Sequence, residues 1–322
     1  MLKLLEALGR RIDAASPAAL WSPVYGLARS LLALGTAGTL VFTGTEVLFH
    51  PVSGSPPAPY CFHAAKISLF CVVPDLWSLQ AARWVAIGLL LVTATGWRPR
   101  LTALPHWWVC FSLQGSGSIV DGGDQVAAVL TLLLLPLALT DPRKWHWSVL
   151  PDDEAVPVGL RLAGATGRAM ILLQVAGLYF HSAVAKFGVP EWANGTALFY
   201  WITDPTYAPP SLLAGAAQGI VSSPIGVLAL TWGTLVLELS LALALAFPLP
   251  VRRTLLVLGI GFHAGIAATM GLVSFFFSMA AALLLYLAPP NALDAVRWPA
   301  RRRAAAAMPP GEPDPSGLQT AR

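Results

Sequence analysis

Long apolar runs separated by short polar segments make up most of this chain. The runs 24–49, 126–139, 227–247 and 255–268 approach the ~20 apolar residues with which an α-helix crosses a hydrocarbon core about 30 Å thick. They do not alternate between apolar and polar positions, as the strands of a membrane barrel do. The pattern predicts an all-α integral membrane protein with about eight transmembrane helices. We place them at 24–48, 81–97, 106–120, 124–140, 161–187, 222–248, 253–271 and 272–289.

The composition excludes an ordinary soluble domain. Hydrophobic residues make up 56% of the 322 residues, charged residues make up only 11%, and the mean hydropathy is +0.66. In soluble domains, charged residues approach about a quarter of the chain. We therefore expect a multi-pass protein that has the lipid bilayer as its main surroundings.

The positive charges indicate the orientation of the chain. The net charge of +4 comes from small clusters between apolar runs and not from one basic stripe, which argues against a nucleic-acid partner. The clusters fall in alternate connections, and such connections face the cytoplasm by the positive-inside rule. The rule predicts that both termini are cytoplasmic. The clusters are Arg98 with Arg100, Arg143 with Lys144, Arg252 with Arg253, and 301–303.

Two segments flank the predicted transmembrane domain at 24–290. Segment 1–23 places Leu2, Leu5 and Leu8 near one helical face, so it is either a helix on the cytoplasmic membrane surface or a frayed polar start. Segment 291–322 is rich in alanine, proline and glycine. It lacks a hydrophobic face, and we predict a disordered cytoplasmic tail.

A titratable lysine ends the fifth predicted span, in the stretch YFHSAVAKFGVPEWANGTALFYW. On a helix, Tyr179, Ser182 and Lys186 share one face, because spacings of three, four and seven bring side chains together. One interpretation is a lysine that extends its ammonium group into the outer headgroups. The other is a partly desolvated base in an outer pocket that the loops 49–80 and 188–221 help to build.

Glu238 and His263 are the deepest titratable residues. They lie about a dozen positions on either side of Pro250–Val251, so an antiparallel hairpin puts both ~15–18 Å above that turn, close enough to touch. A histidine partner would offset the ~2.5–3.5 kcal/mol cost of a carboxylate in lipid. A proton relay, a polar site wall and a structural hydrogen bond all stay open. Gln174 could join them but lies ~18 Å along its helix from Lys186, so helix geometry argues against a direct Lys186–Glu238 contact.

The outer turn GSGSIVDGGDQ holds two aspartates. Asp121 or Asp124 can cap the fourth span, while Gly122 and Gly123 make the chain reversal. The two carboxylates could also bind a cation, although two oxygen ligands alone are too few. The chain has no zinc motif, phosphate loop, dinucleotide fingerprint or serine-hydrolase elbow, so the motifs predict no metal and no cofactor.

The three cysteines call for different interpretations. Cys61 and Cys71 lie in the first outer loop, where an oxidising compartment favours a disulfide; redox chemistry is the alternative, although their spacing is no redox motif. Cys110 fits a small apolar residue inside the third span. At the inner side, Arg29 either extends toward the cytoplasmic surface or pairs with a carboxylate, and His106 is expected at the interface.

Several segments resemble a known family. In the first half they read LFHPVSGSPPAPYCFHAAKISLFCVV, GWRPRLTALPHWWVCFSLQGSGSIVDGGDQ and LTDPRKWHW. These are similar to the SdpB branch, membrane proteins of sporulation-delaying-type peptide toxin systems. The spacing of Tyr179, Lys186, Trp192 and Gly195 resembles the signature helix of the HTTM superfamily, which includes the vitamin K-dependent gamma-carboxylases. The similarity runs from about residue 24 to residue 290.

The resemblance implies a protein of the bacterial plasma membrane that helps to mature or export a secreted antimicrobial peptide. Its expected partners are the precursor peptide and a small SdpA-like protein. The carboxylases use a lysine at the position of Lys186 as the base that deprotonates vitamin K hydroquinone, so an intramembrane enzyme with a quinone-type cofactor is the alternative. Ala185 replaces a neighbouring lysine and the large extracytoplasmic domain is missing, which argues against glutamate carboxylation.

Whether the chain is an enzyme stays open at this point. A transporter is a third hypothesis, and it rests only on the polar residues in mid-membrane. The candidate catalytic residues are Lys186, Glu238 and His263, and the candidate binding residues are Tyr179, Ser182, Trp192, Gly195, Asp121 and Asp124.

Overall fold

The computed structural model describes residues 17–54, 58–72, 79–151, 155–207 and 209–293. These residues form nine helices of ten residues or more: α1 Pro23–Phe42, α2 Leu79–Ala94, α3 Pro99–Ser116, α4 Gly122–Leu139, α5 Val158–Phe187, α6 Ser211–Val221, α7 Pro224–Ala242, α8 Leu249–Met270 and α9 Val273–Leu287. Shorter helical segments are Pro17–Leu20, Thr45–Leu48, His63–Ile67, Leu69–Val72, Pro190–Ala193, Ala197–Thr203 and Ala244–Ala246. Much of the predicted segment 1–23 and nearly all of the predicted tail 291–322 lie outside the described residues.

The helices account for the apolar runs of the sequence. Each predicted span overlaps one helix, and five helical segments are long and apolar enough to cross a membrane. These five are Pro17–Phe42, Gly122–Leu139, Val158–Phe187, Pro224–Ala242 and Leu249–Met270. Helices α2, α6 and α9 are apolar but shorter. Within the described residues, the structure therefore supports an all-helical membrane protein with five candidate spans.

Some boundaries differ from the predicted ones for local reasons. Helix α1 ends at Phe42 because Thr43 adopts an extended backbone as its C-cap, and Thr45–Leu48 forms a separate turn. Helix α7 ends at Ala242 and is followed by a short 3₁₀ turn. Helix α6 lies inside the segment that we predicted to be the loop 188–221, so that loop is largely helical.

Helix α9 is the central element of the bundle. It packs against α1, α4, α5 and α8, and its residues 278–283 are buried. Three neighbouring helices each turn a glycine toward it, and a Cβ at any of these glycines would come within 3.0 Å of an α9 atom: Gly35 of α1 against Phe277, Gly123 of α4 against Phe275, and Gly259 of α8 against Leu283. Small residues allow this close approach, which membrane helices use in place of hydrophobic attraction.

The connections define two ends of the bundle. The turns after α2 and α4, which hold the predicted cytoplasmic charges, form the inner end. There the turn after α2 pairs with residues 144–147: the Arg98 amide donates to the Lys144 carbonyl at 2.7 Å, and the His146 amide donates to the Gly96 carbonyl at 3.0 Å. His146 is fully buried against Gly26 of α1.

At the opposite, outer end, a disulfide joins Cys61 and Cys71. The loop that it closes is held on α3 by several hydrogen bonds. Trp108 Nε1 donates to the Ile67 carbonyl at 2.7 Å, and the Leu69 amide donates to Ser112 Oγ at 2.8 Å. The first outer loop is thus attached to the bundle.

The structure gives a role to the aspartates of the outer turn and a place to Cys110, which we predicted to be a small apolar residue of the third span. Asp121 is the N-cap of α4, and its carboxylate accepts from the Asp124 amide at 2.9 Å while Asp124 accepts from the Asp121 amide at 3.3 Å. This reciprocal capping box satisfies free amides at the start of the helix. Cys110 is a buried free cysteine inside α3, 3.5 Å from Thr36 Oγ1.

The burial of His146 should make stability depend on pH. Burial lowers the pKa of His146 from 6.5 to about 3, and the charges of Arg29 and Arg143 act in the same direction. Between these pKa values the unfolded chain binds more protons than the folded one, so stability falls as the pH drops below 6.5, by up to about 1.4 kcal/mol per pH unit. We expect the Tm of the purified protein in detergent to fall between pH 6.5 and 4.5.

The variant His146→Gln should have a lower Tm at pH 7.5 and a flatter pH dependence. His181→Gln, at an exposed position, is the matched control and should keep the wild-type slope. An unchanged slope in His146→Gln would show that another group is responsible.

Candidate functional site

Lys186 and Glu238 form an ion pair between α5 and α7. Lys186 Nζ lies 2.8 Å from both carboxylate oxygens of Glu238 and 2.6 Å from Ser182 Oγ. Ser182 Oγ also donates to Glu238 Oε1 at 3.1 Å. The side chain of Glu238 is 7% exposed and that of Lys186 is 22% exposed, so Lys186 is the more exposed partner of the pair.

The prediction that Lys186 and Glu238 do not touch is wrong. It compared positions along the helix axes and neglected the direction of the side chains. Side chains tilt toward the N-terminus of their own helix, and α5 and α7 run antiparallel. Lys186 therefore reaches back toward the middle of the bundle while Glu238 reaches outward. The length of the lysine side chain closes the remaining distance.

An aromatic residue covers the ammonium group of Lys186. Its Nζ lies 5.3 Å from the centroid of the Trp192 ring, which is within range of a cation–π interaction. The short helix Pro190–Ala193 holds Trp192, and Gly195 ends that turn with a positive φ of 84°. A positive φ favours glycine, and a Cβ at this position would lie 2.4 Å from Leu228 Cδ1, so the Leu228 side chain would have to move.

A second polar contact lies deeper on the same face of α5. Tyr179 and His263 are both buried, and Tyr179 Oη lies 3.0 Å from His263 Nε2. His263 is thus paired with Tyr179 and, among the described residues, makes no hydrogen bond to Glu238, so the predicted Glu238–His263 contact is not present. His263 Nδ1 is buried and has no hydrogen-bond partner in the described part of the chain.

A cavity of about 820 Å³ lies below this polar face. Helices α4, α5 and α9 provide mostly apolar walls, and Glu238, Ser182, Tyr179 and His263 line its polar part. Met170 and Leu173 line it while being exposed on the outside of α5, so the cavity opens sideways on this face. A ligand could enter from the apolar interior of a bilayer.

Sequence reasoning placed some of these residues and missed others. Gln174 lines the cavity, as does His181, which the sequence analysis did not single out. The signal for His181 was its position beside Ser182 in an apolar span. Gln125 also lines the cavity from α4, next to the capping box. Asp121 and Asp124 serve the capping box, and Cys61 and Cys71 belong to the outer loop, away from the cavity lining.

The residues at hand do not form a metal site. Within the described ranges, no group of three or more histidine, cysteine, aspartate or glutamate side chains could hold a metal ion. The described polar groups are one ion pair and one tyrosine–histidine pair, beside a mostly apolar chamber that Gln125, Gln174 and His181 also line.

Comparison with known proteins identifies relatives over nearly the whole chain. YitO of Bacillus subtilis (strain 168), described as an uncharacterised protein, is 40% identical over 290 residues, which cover 90% of this chain and 92% of YitO. The sporulation-delaying protein SdpB of the same bacterium is 33% identical over 298 residues, covering 92% of this chain and 90% of SdpB. The chain belongs to the SdpB family. This relationship links it to the sporulation-delaying protein system. No family model and no solved structure matches the chain.

The ion pair should show energetic coupling. Lys186→Met leaves the carboxylate of Glu238 without its cation, and Glu238→Gln leaves the ammonium without its anion. We expect each replacement to lower the Tm, and the double variant to lose less than the sum, with a coupling of about 0.5–3 kcal/mol.

Thermal unfolding in detergent measures this cycle. Lys66→Met is the control, because Lys66 is exposed on the outer loop, and its effect should add simply to that of Glu238→Gln. If the losses of stability in Lys186→Met and Glu238→Gln are additive in the double variant, the two residues do not form an energetically coupled ion pair.

Proposed function

We propose that the chain is a membrane accessory protein for the maturation or export of a secreted antimicrobial peptide of the sporulation-delaying type. The relationship to SdpB over about nine-tenths of both chains is the observation that carries this proposal. A precursor peptide and a small SdpA-like protein are its proposed partners, and the bacterial plasma membrane is its proposed location.

The cavity and the ion pair support a role in handling the peptide. A secreted peptide with an apolar segment can enter the chamber sideways between lipid and α5, where apolar walls replace its lipid contacts. Glu238, Ser182 and His263 line the polar part of the chamber and then offer hydrogen bonds to its backbone or side chains. With both termini in the cytoplasm, as the charge pattern predicts, Lys186 lies toward the extracytoplasmic surface.

The state of Lys186 bears on what chemistry is available. As an ammonium group between a carboxylate and a hydroxyl, it is a hydrogen-bond donor and not a free base. Binding and positioning of the peptide are therefore the simplest use of the site.

Release of active peptide tests this function. We expect cells with Lys186→Ala or Glu238→Gln to release much less active peptide than wild type, at equal membrane levels by blot. Lys186→Arg should retain part of the activity because it keeps the positive charge, although a guanidinium does not match the same geometry. Activity and peptide mass in the culture supernatant are measured together.

Lys66→Ala is the control, since it removes an exposed lysine from the predicted same side of the membrane. Unchanged release from cells that lack the gene would end the proposal for the whole chain. Normal release from both Lys186 variants would contradict the proposed role of the Lys186–Glu238 site, while the proposed role of the chain in peptide production would stand.

The second candidate is an intramembrane enzyme of gamma-carboxylase-like ancestry that uses a quinone-type cofactor. The observation that favours it is the lateral, apolar cavity with Glu238 and His263 at its polar part, where Glu238 is paired with Lys186. When bound, such a group would supply redox chemistry, the apolar walls would hold its tail, and His263 and Tyr179 would lie beside its head. The proposed membership of the HTTM superfamily provides the ancestry.

Extraction of the purified protein tests this candidate. We expect quinone to co-purify with wild type and to be reduced in Gly177→Leu, because Gly177 lines the cavity and has open space for a side chain. Gly159→Leu, also with open space and on the same helix, is the control. Chromatography that detects no quinone in wild type would remove the candidate.

A further inference from the structure

A second polar cluster lies at the inner end of the bundle, away from the cavity. Its members come from α1, from α3 and from the segment after α4, and all are buried: Tyr25, Arg29, Thr102, His106, Asp141, Arg143 and His146. Arg29 is only 1% exposed. A guanidinium group cannot lose its charge in a protein, so this burial requires a compensating interaction.

The contacts within the cluster leave Arg29 short of partners. Arg29 Nη2 donates to Thr102 Oγ1 at 2.7 Å. Its Nη1 has no hydrogen-bond partner in the described part of the chain, and no carboxylate among those residues lies within salt-bridge distance of it. The expected pairing of Arg29 with a carboxylate is therefore not observed, and Arg29 does not extend to the surface.

The neighbouring aspartate is already engaged. Arg143 Nε donates to Asp141 Oδ1 at 2.8 Å, and Arg143 Nη2 donates to Asp141 Oδ2 at 2.7 Å. Asp141 and Arg143 are the groups of fixed charge that act on Arg29 among the residues described. Two arginines and one aspartate leave one positive charge in excess. An uncompensated buried charge costs several kcal/mol.

The other unpartnered atoms of the cluster indicate which kind of group could balance the excess positive charge of Arg29. Tyr25 Oη is buried without a partner, and its hydroxyl can donate. The position of Tyr25 beside the cluster is fixed, because the Arg143 guanidinium lies 5.9 Å from the centroid of its ring. His106 Nε2 is also unpartnered. Arg29 and Tyr25 thus both present hydrogen-bond donors without acceptors.

The unpartnered nitrogen of His146 is a hydrogen-bond acceptor, whereas Arg29 and Tyr25 present donors. The Ser30 hydroxyl donates its single proton to the Ala94 carbonyl at 2.7 Å, so in the 3.3 Å contact with Ser30 the donor is His146 Nε2. The Nδ1 of this neutral ring is then an acceptor. His146 therefore cannot act as a second cation, and the excess charge is centred on Arg29.

We propose that Arg29, with Thr102 and Tyr25 beside it, forms a buried site for one small inorganic anion of the size class of chloride. The anion supplies the missing negative charge and accepts from Arg29 Nη1 and the Tyr25 hydroxyl. A lipid phosphate or a peptide carboxylate is excluded by its size, because Arg29 is only 1% exposed. The anion would tie α1 to α3 and to the segment after α4, and it does not depend on the proposed function.

Equilibrium dialysis of the purified full-length protein with radioactive chloride, in gluconate buffer, tests the site directly. We expect one saturable site in wild type and its loss in Arg29→Gln. Arg253→Gln, which removes an exposed arginine at the start of α8, is the matched control and should bind as wild type does. No saturable binding by wild type, or full binding by Arg29→Gln, overturns the proposal.

A second measurement covers the case in which Arg29→Gln does not fold. Tyr25→Phe keeps the ring and removes the hydroxyl, and it should weaken chloride binding about tenfold, as expected for one hydrogen bond to a charged partner. The Tm of wild type should also rise with chloride at constant ionic strength and then level off. Unchanged affinity in both Tyr25→Phe and Thr102→Val would place any bound chloride elsewhere and overturn the site.

Discussion

Around α9, three helices approach so closely that each carries a glycine at the contact. Lipid is as apolar as the helix surfaces, so burial of apolar groups does not hold membrane helices together, and close packing has to do so. The alanines of α9 at 280–282 are all nearly or fully buried, and their small side chains also allow close packing. This contact fixes α1, α4 and α8 relative to one another, and with them the positions of Arg29, the capping box and His263.

The two buried polar clusters differ in how their charges are compensated. At the outer end, Lys186 and Glu238 neutralise each other, and Ser182 and the Trp192 ring complete the environment. At the inner end, Asp141 is paired with Arg143, so no carboxylate among the described residues balances the charge of Arg29. An internally neutral pair can remain closed until a ligand competes for it, whereas an unbalanced cation needs an external anion to be stable.

The long apolar runs were sufficient to predict the helices, because length and periodicity are local properties of the chain. The same holds for the capping box at Asp121, which depends on residues three positions apart. Contacts between helices were harder to predict from the sequence. The Lys186–Glu238 pair was rejected because axial positions were compared without the tilt of the side chains. The Tyr179–His263 pair depends on how α5 and α8 are each placed against α9. Helix α6 was missed because proline and glycine around it favoured a loop prediction.

The position of the ion pair at the cavity limits what the proposed site can recognise. The walls are mostly apolar, so most of the binding free energy would come from apolar contact. Polar recognition would come from Glu238, Ser182, Tyr179 and His263, together with Gln125, Gln174 and His181. A ligand that carries several charges would have to lose its hydration without enough partners, which is costly. A hydrophobic peptide segment with few polar groups meets this condition. The lateral opening beside Leu173 adds a second requirement, since the ligand has to reside in the bilayer before it enters.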